Sequence, residues 1–139
     1  MTLTSEEKKA LAEYRIKKAK EIFEEAKFNF EHNKFATAVN RSYYTVLNAS
    51  RALLILKGID PESHSGCKTM LSLHFVKAGM MDNKYIEYFK TLFARRTDVD
   101  YGDFEVIDKE KAEDSLNEAY EFLIMADGLL NELIRNLTK

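Results

Sequence analysis

Phe35-Ala36-Thr37-Ala38-Val39-Asn40-Arg41-Ser42-Tyr43-Tyr44-Thr45-Val46-Leu47-Asn48-Ala49-Ser50-Arg51-Ala52-Leu53-Leu54-Ile55-Leu56-Lys57 decides the fold class. Phe35, Ala38, Val39, Ser42, Val46, Ala49, Leu53 and Leu56 fall on one side of a helix, the pattern of a buried stripe. No glycine or proline interrupts the run. Gly58 then suits the left-handed stop position, and Asp60-Pro61 follows as a turn. A helix is therefore predicted from about Lys34 to Lys57.

The same reading extends in both directions. On the N-terminal side, Thr4 with Glu7 three residues on forms a capping box. A helix from there to about His32 would bury Leu11, Tyr14, Ala19, Ile22, Phe23, Ala26 and Phe30, with Asn33 as the break. On the C-terminal side, Ser63 caps a third helix, His64 to Ala78, stopped by Gly79, with Met70, Leu71, Phe75 and Cys67 turned inward. Asp82 caps a fourth, with Tyr85, Ile86, Phe89, Leu92 and Phe93 as its stripe and fraying near Thr97. Gly102–Ile107 reads as loop. Asp108 caps a fifth helix reaching about Leu137 through Ala112, Leu116, Ala119, Leu123, Ile124, Leu130, Leu133 and Ile134. No strand-like alternation competes with this pattern. The expectation is an all-α, up-and-down bundle of about five helices, one domain over residues 1–139.

The totals agree. One proline and five glycines leave long helices uninterrupted. Apolar content of 45% and charged content of 32% describe an ordinary globular chain, long enough to bury one core. A formal charge of −2 gives no global attraction to nucleic acid or anionic lipid, so any polyanion site must be a local patch. Cys67 is the single cysteine, which rules out an intrachain disulfide and fits a reducing, cytoplasmic setting. Apolar runs such as Ala52–Leu56 and Phe122–Ala126 are too short to cross a membrane. Met1–Lys9 is polar and mixed in charge, unlike a signal peptide. There is no P-loop and no glycine-rich dinucleotide turn, so no cofactor is expected. His64, Cys67 and His74 fit no zinc spacing, and surface histidines with a core thiol account for them.

Three clusters can handle a phosphate. Arg95-Arg96-Thr97-Asp98-Val99-Asp100-Tyr101 puts two guanidinium groups near two carboxylates and a phenol at a helix end. An Arg96–Asp100 pair, four residues apart, is its plain structural explanation. Arg41 sits among buried positions in Asn40-Arg41-Ser42-Tyr43-Tyr44 and needs an anion, either a carboxylate such as Asp98 or Asp100 or a ligand phosphate. Tyr43 and Tyr44 add a hydroxyl and a stacking face. Ser63-His64-Ser65-Gly66 opens a helix, where free N–H groups attract anions and His64 can carry a proton; simple capping by Ser63 explains it equally.

Together, Asn40-Arg41-Ser42-Tyr43-Tyr44 with Ala49-Ser50-Arg51-Ala52-Leu53-Leu54, then Ser63-His64-Ser65-Gly66, then Arg96-x-x-x-Asp100-Tyr101 resemble the HEPN domain family over about Lys8 to Leu137. The name stands for higher eukaryotes and prokaryotes nucleotide-binding. The resemblance implies a helical bundle that pairs into a homodimer, often beside a minimal nucleotidyltransferase in toxin–antitoxin pairs. It also implies a cleft for RNA or nucleotide phosphate, and the short apolar runs give no reason to expect a membrane partner. Arg41, Tyr44, His64, Arg95 and Arg96 would line that cleft, and Asp98 and Asp100 would orient the arginines. Several members are metal-independent ribonucleases with an Arg-x(4–6)-His motif. In this chain neither Arg95 nor Arg96 is followed by a histidine at that spacing; Asp100 and Tyr101 stand there instead. If any catalysis occurs, Arg96, Asp100 and Tyr101 are the candidates at this position. The alternatives to a phosphate-binding module are a metal-independent ribonuclease and a non-catalytic protein-interaction module.

Overall fold

A computed structural model describes residues 2–101 and 107–137, with the backbone alone at Tyr101. The described residues form five α-helices: α1 (Ser5–Glu31), α2 (Phe35–Leu56), α3 (His64–Leu71), α4 (Lys84–Tyr101) and α5 (Lys109–Leu137). No strand occurs among the described residues. Most of the loop predicted over Gly102–Ile107 lies outside them. Among the described residues no helix is long and apolar enough to cross a membrane.

Local signals place the ends. The Thr4 hydroxyl accepts the Glu7 N–H at 3.1 Å, and the Glu7 carboxylate accepts the Thr4 N–H at 2.9 Å, closing the capping box. Ser63 Oγ accepts the Gly66 N–H at 2.9 Å and so opens α3. Asp82 and Asp108 cap α4 and α5 through the N–H groups of Lys84 and Lys111. Gly58, at φ 80, ends α2 in the left-handed conformation that costs glycine least.

α2 is the central element and packs against α1, α3, α4 and α5. It is buried on more than one side: Tyr43, Leu47 and Leu54 join Val46, Ala49 and Leu53 in the core. A helix surrounded on most sides buries more than a single stripe. Around it, α1 presents Ala12, Ile16, Ala19, Ile22, Phe23 and Ala26, while α5 presents Ala119, Phe122, Leu123, Ala126 and Leu130.

Three differences from the sequence reading have structural reasons. The α1 stripe holds at Ala19, Ile22, Phe23 and Ala26, but near its start it runs through Ala12 and Ile16 while Tyr14 is 62% exposed; on α5, Phe122 is buried and Ile124 exposed. The third helix changes gauge after Leu71 into a π turn over Ser72–Val76, where the Lys77 N–H reaches back to the Ser72 carbonyl. α4 continues past Thr97 to Tyr101 because side chains on both sides hold its last turns. Arg95 is bonded to α5, and Arg96 to Asp100 and His64.

The positions that differ make a direct test. Phe122→Ala should cost about 3–5 kcal/mol in chemical denaturation, because it empties a fully buried aromatic site. Tyr14→Ala should stay within about 0.5 kcal/mol of wild type.

Candidate functional site

Arg96 lies on the face of α4 turned toward α2 and α3. Its side chain is 13% exposed. The guanidinium carbon stands 5.3 Å from the centre of the Tyr43 ring, 5.6 Å from Phe93 and 5.8 Å from Tyr44. Ring faces attract a cation but do not neutralise it. Neutralisation comes from Asp100, which accepts a hydrogen bond from Nη1 at 2.8 Å. That bond is the largest cause holding the Arg96 pKa above its usual value. Nη2 lies 3.3 Å from His64 Nδ1, and Nε is buried with no hydrogen-bond partner.

His64 is delivered by the start of α3. Its half-buried ring meets Tyr43 at 5.5 Å, Phe93 at 6.0 Å and Tyr44 at 6.4 Å. Burial, then the charges of Arg96 and Arg51, hold its pKa below the ordinary histidine value. Arginine has only donors, so His64 Nδ1 accepts from Arg96 and the ring proton resides on Nε2. The site thus presents a neutral imidazole with one outward donor, beside a cation that cannot lose its charge.

Arg41 reaches the same place from α2. Its guanidinium lies 5.3 Å from the Tyr44 ring centre. Both Arg41 and Arg96 therefore rest against Tyr44. The anion that Arg41 requires is neither Asp98 nor Asp100. Nε and Nη2 donate to Asn40 Oδ1 at 3.0 and 2.7 Å, and Glu25 lies 3.6 Å from Nη1. Asp100 is already engaged by Arg96, and Asp98 is exposed. Arg41 and Asp100 line one shallow groove with Asn29, Thr37 and Val99.

The remaining predicted members do not join. Arg95 turns to α5, where it donates to Ser115 Oγ at 3.0 Å and lies 3.4 Å from Glu118. The Glu118 pKa is raised, because burial outweighs the attraction of Arg95. Tyr43 is fully buried and its hydroxyl has no partner, so its contribution is a ring face rather than a reachable hydroxyl. The Tyr101 side chain lies outside the described residues. His64, Cys67 and His74 do not gather: among the described residues no three metal-ligating groups come together.

Two participants escaped the sequence reading. Phe93 was assigned to the α4 core stripe, but it is 38% exposed and packs on Arg96 and His64. Arg51 is half-buried, and its charge depresses the His64 pKa. Its spacing offered a signal: Arg41, Tyr44, Asn48 and Arg51 recur along α2 at helical intervals and are all half-buried.

The depressed His64 pKa sets a pH dependence. The unfolded chain takes up a proton near the ordinary histidine value, while the folded chain resists it until a lower pH. Stability from this group is therefore constant above that value and falls as pH drops through the interval between the two. Chemical denaturation of wild type and His64→Gln across pH 5–8 should show a loss on acidification that is smaller in the variant.

Comparison with known proteins agrees with this architecture. The HEPN domain profile matches residues 12–129. A UPF0332 protein of Thermotoga maritima is 30% identical over 129 residues, covering 93% of this chain and 98% of that protein. Two Methanocaldococcus jannaschii proteins, each named as a candidate toxin, are 32% identical over 108 residues and 31% identical over 122 residues. The first alignment covers 78% of this chain and 74% of its relative, the second 86% and 88%. With the profile spanning most of the five-helix bundle, the chain belongs to the HEPN domain family.

Proposed function

We propose that this HEPN chain recognises the phosphates of RNA or a nucleotide, and that it serves as the toxin-type member of a toxin–antitoxin pair. The observation that carries the proposal is the meeting of Arg41 and Arg96 on the Tyr44 ring, with His64 beside them. Three guanidinium groups, counting Arg51, face two carboxylates, Asp100 and Glu25. The patch is thus locally positive in a chain whose net charge is −2. Planar guanidinium forks suit phosphate oxygens, and Tyr44 offers a face for a base or sugar. Asp100 occupies the Arg96 fork from the last turn of α4. A phosphate would replace this carboxylate as the anion, and Asp100 is exposed enough to swing aside.

The candidate-toxin names of the two M. jannaschii relatives support the setting. Within it, the chain acts as a cytoplasmic homodimer whose partner is a nucleotidyltransferase. Growth arrest on expression, relieved by co-expressing that partner, is the corresponding cellular readout.

A second reading has one observation behind it. The ribonuclease motif lacks its histidine in sequence, yet His64 stands 3.3 Å from Arg96 in space, supplied by another helix. On this reading Arg96 stabilises the charge that develops when an RNA 2′-hydroxyl attacks the adjacent phosphate, and His64 moves the proton. Cleavage would need no metal and would leave a cyclic phosphate end. Concentrated protein that leaves varied RNAs intact would count against it.

Binding measurements separate site from scaffold. Arg96→Ala should remain folded by circular dichroism and lose at least about tenfold in affinity for a short RNA at low salt. Arg95→Ala, whose guanidinium faces α5, should bind as wild type does. Asp100→Asn should bind about tenfold more tightly, since it removes a competing anion. Wild type that binds neither nucleotide nor RNA at low salt would overturn the proposal.

A further inference from the structure

Beyond the Arg96–His64 cluster, the groove between α3, its π turn and α4 combines apolar walls with a lysine rim. A hollow of about 190 Å³ opens beside His64, walled by Ser65, Lys68, Phe89, Lys90 and Phe93. A second, more open hollow of about 480 Å³ shares Lys68 and Lys90 and runs on to Ser72, Lys77, Ile86 and one acid, Glu87. The two hollows thus adjoin across Lys68 and Lys90, in a row that begins at the imidazole. Its charge is largely unanswered. Lys90 has only an exposed pair with Glu87 at 3.8 Å, and among the described residues neither Lys68 nor Lys77 forms an ion pair. The π turn supplies Ser72 and Leu73 to the far wall, and such turns recur at functional positions.

We infer that this groove carries single-stranded RNA away from the Arg96–His64 cluster. Phe93 stacks the next base, and Lys68, Lys90 and Lys77 follow the phosphates. Sequence-tolerant strand binding needs these two ingredients, an aromatic edge and a positive track beside it. The first hollow exceeds the roughly 150 Å³ that admits a benzene ring, so a flat ring can enter. An acidic peptide would match the lysines; a nucleic-acid strand matches both features, because every nucleotide carries a ring next to its phosphate. The inference rests on the phosphate reading of Arg96 and specifies its ligand as a strand rather than a mononucleotide.

The test measures binding of a labelled nucleoside 5′-monophosphate and of a labelled single-stranded RNA decamer, by fluorescence anisotropy over a range of salt. The proteins are wild type and Lys68→Gln/Lys90→Gln, with circular dichroism to check that the variant is folded. The double variant should bind the mononucleotide as wild type does and lose at least about tenfold on the decamer. Its log–log salt slope should fall by about 1.4, two contacts at roughly 0.7 each. Equal decamer binding by both proteins would overturn the inference while the Arg96 reading stands. Failure of wild type to bind the mononucleotide, with a lysine-dependent decamer, would sink the Arg96 reading and leave the track. An acidic peptide of equal charge that competes as well as the decamer would overturn the choice of RNA.

Discussion

Arg96 keeps its charge while most of its side chain is withdrawn from water, and the architecture around it answers that constraint. Three aromatic rings surround the guanidinium without neutralising it. The counter-charge comes from Asp100, one turn further along α4. Here the strength of the bond matters more than its type. An exposed pair at this spacing contributes a few tenths of a kcal/mol, but one against a 13% exposed arginine carries the cost of leaving a charge unanswered. The pair holds α4 helical through residues that the sequence alone would leave frayed. The same guanidinium fixes the His64 tautomer, and with burial and Arg51 it keeps the imidazole neutral. One side chain thus couples α2, α3 and α4 at the end of the bundle where all three meet.

Helix ends were legible in the sequence because they depend on neighbours in the chain. Thr4 with Glu7, Ser63, Asp82, Asp108 and Gly58 each act within a few residues, and each acts where the local signal places it. The buried faces were less legible. On α1 and α5 apolar residues occupy more than one stripe, so periodicity alone does not tell Ile16 from Tyr14, or Phe122 from Ile124. That choice belongs to the partner helices. The HEPN resemblance named the bundle through three short motifs; the four-residue spacing offered Asp100 to Arg96, as observed, but nothing local offered Glu25 to Arg41.

The candidate site was legible in part for the same reason. Arg41, Tyr44, His64 and Arg96 are singled out by residue type and motif, and the fold brings them together. Arg95 is chemically identical to Arg96 and adjacent to it, yet one step along a helix turns it onto Ser115 and Glu118. The contact between His64 and Arg96 spans 32 residues and has no local signature. It also reframes the missing motif histidine. An imidazole stands beside the arginine after all, carried by a different helix, with an aspartate in the sequence slot. Such an arrangement keeps a neutral donor next to a permanent cation in a locally positive patch, which is what a phosphate ligand requires.

The most direct measurement is an NMR titration of isotope-labelled protein with a dinucleotide, following the Arg96 guanidinium N–H and the His64 ring signals. Shifts that move together and saturate with ligand are predicted, because a phosphate would enter the Arg96 fork next to the imidazole. Saturating binding that leaves both signals unmoved would contradict the central claim.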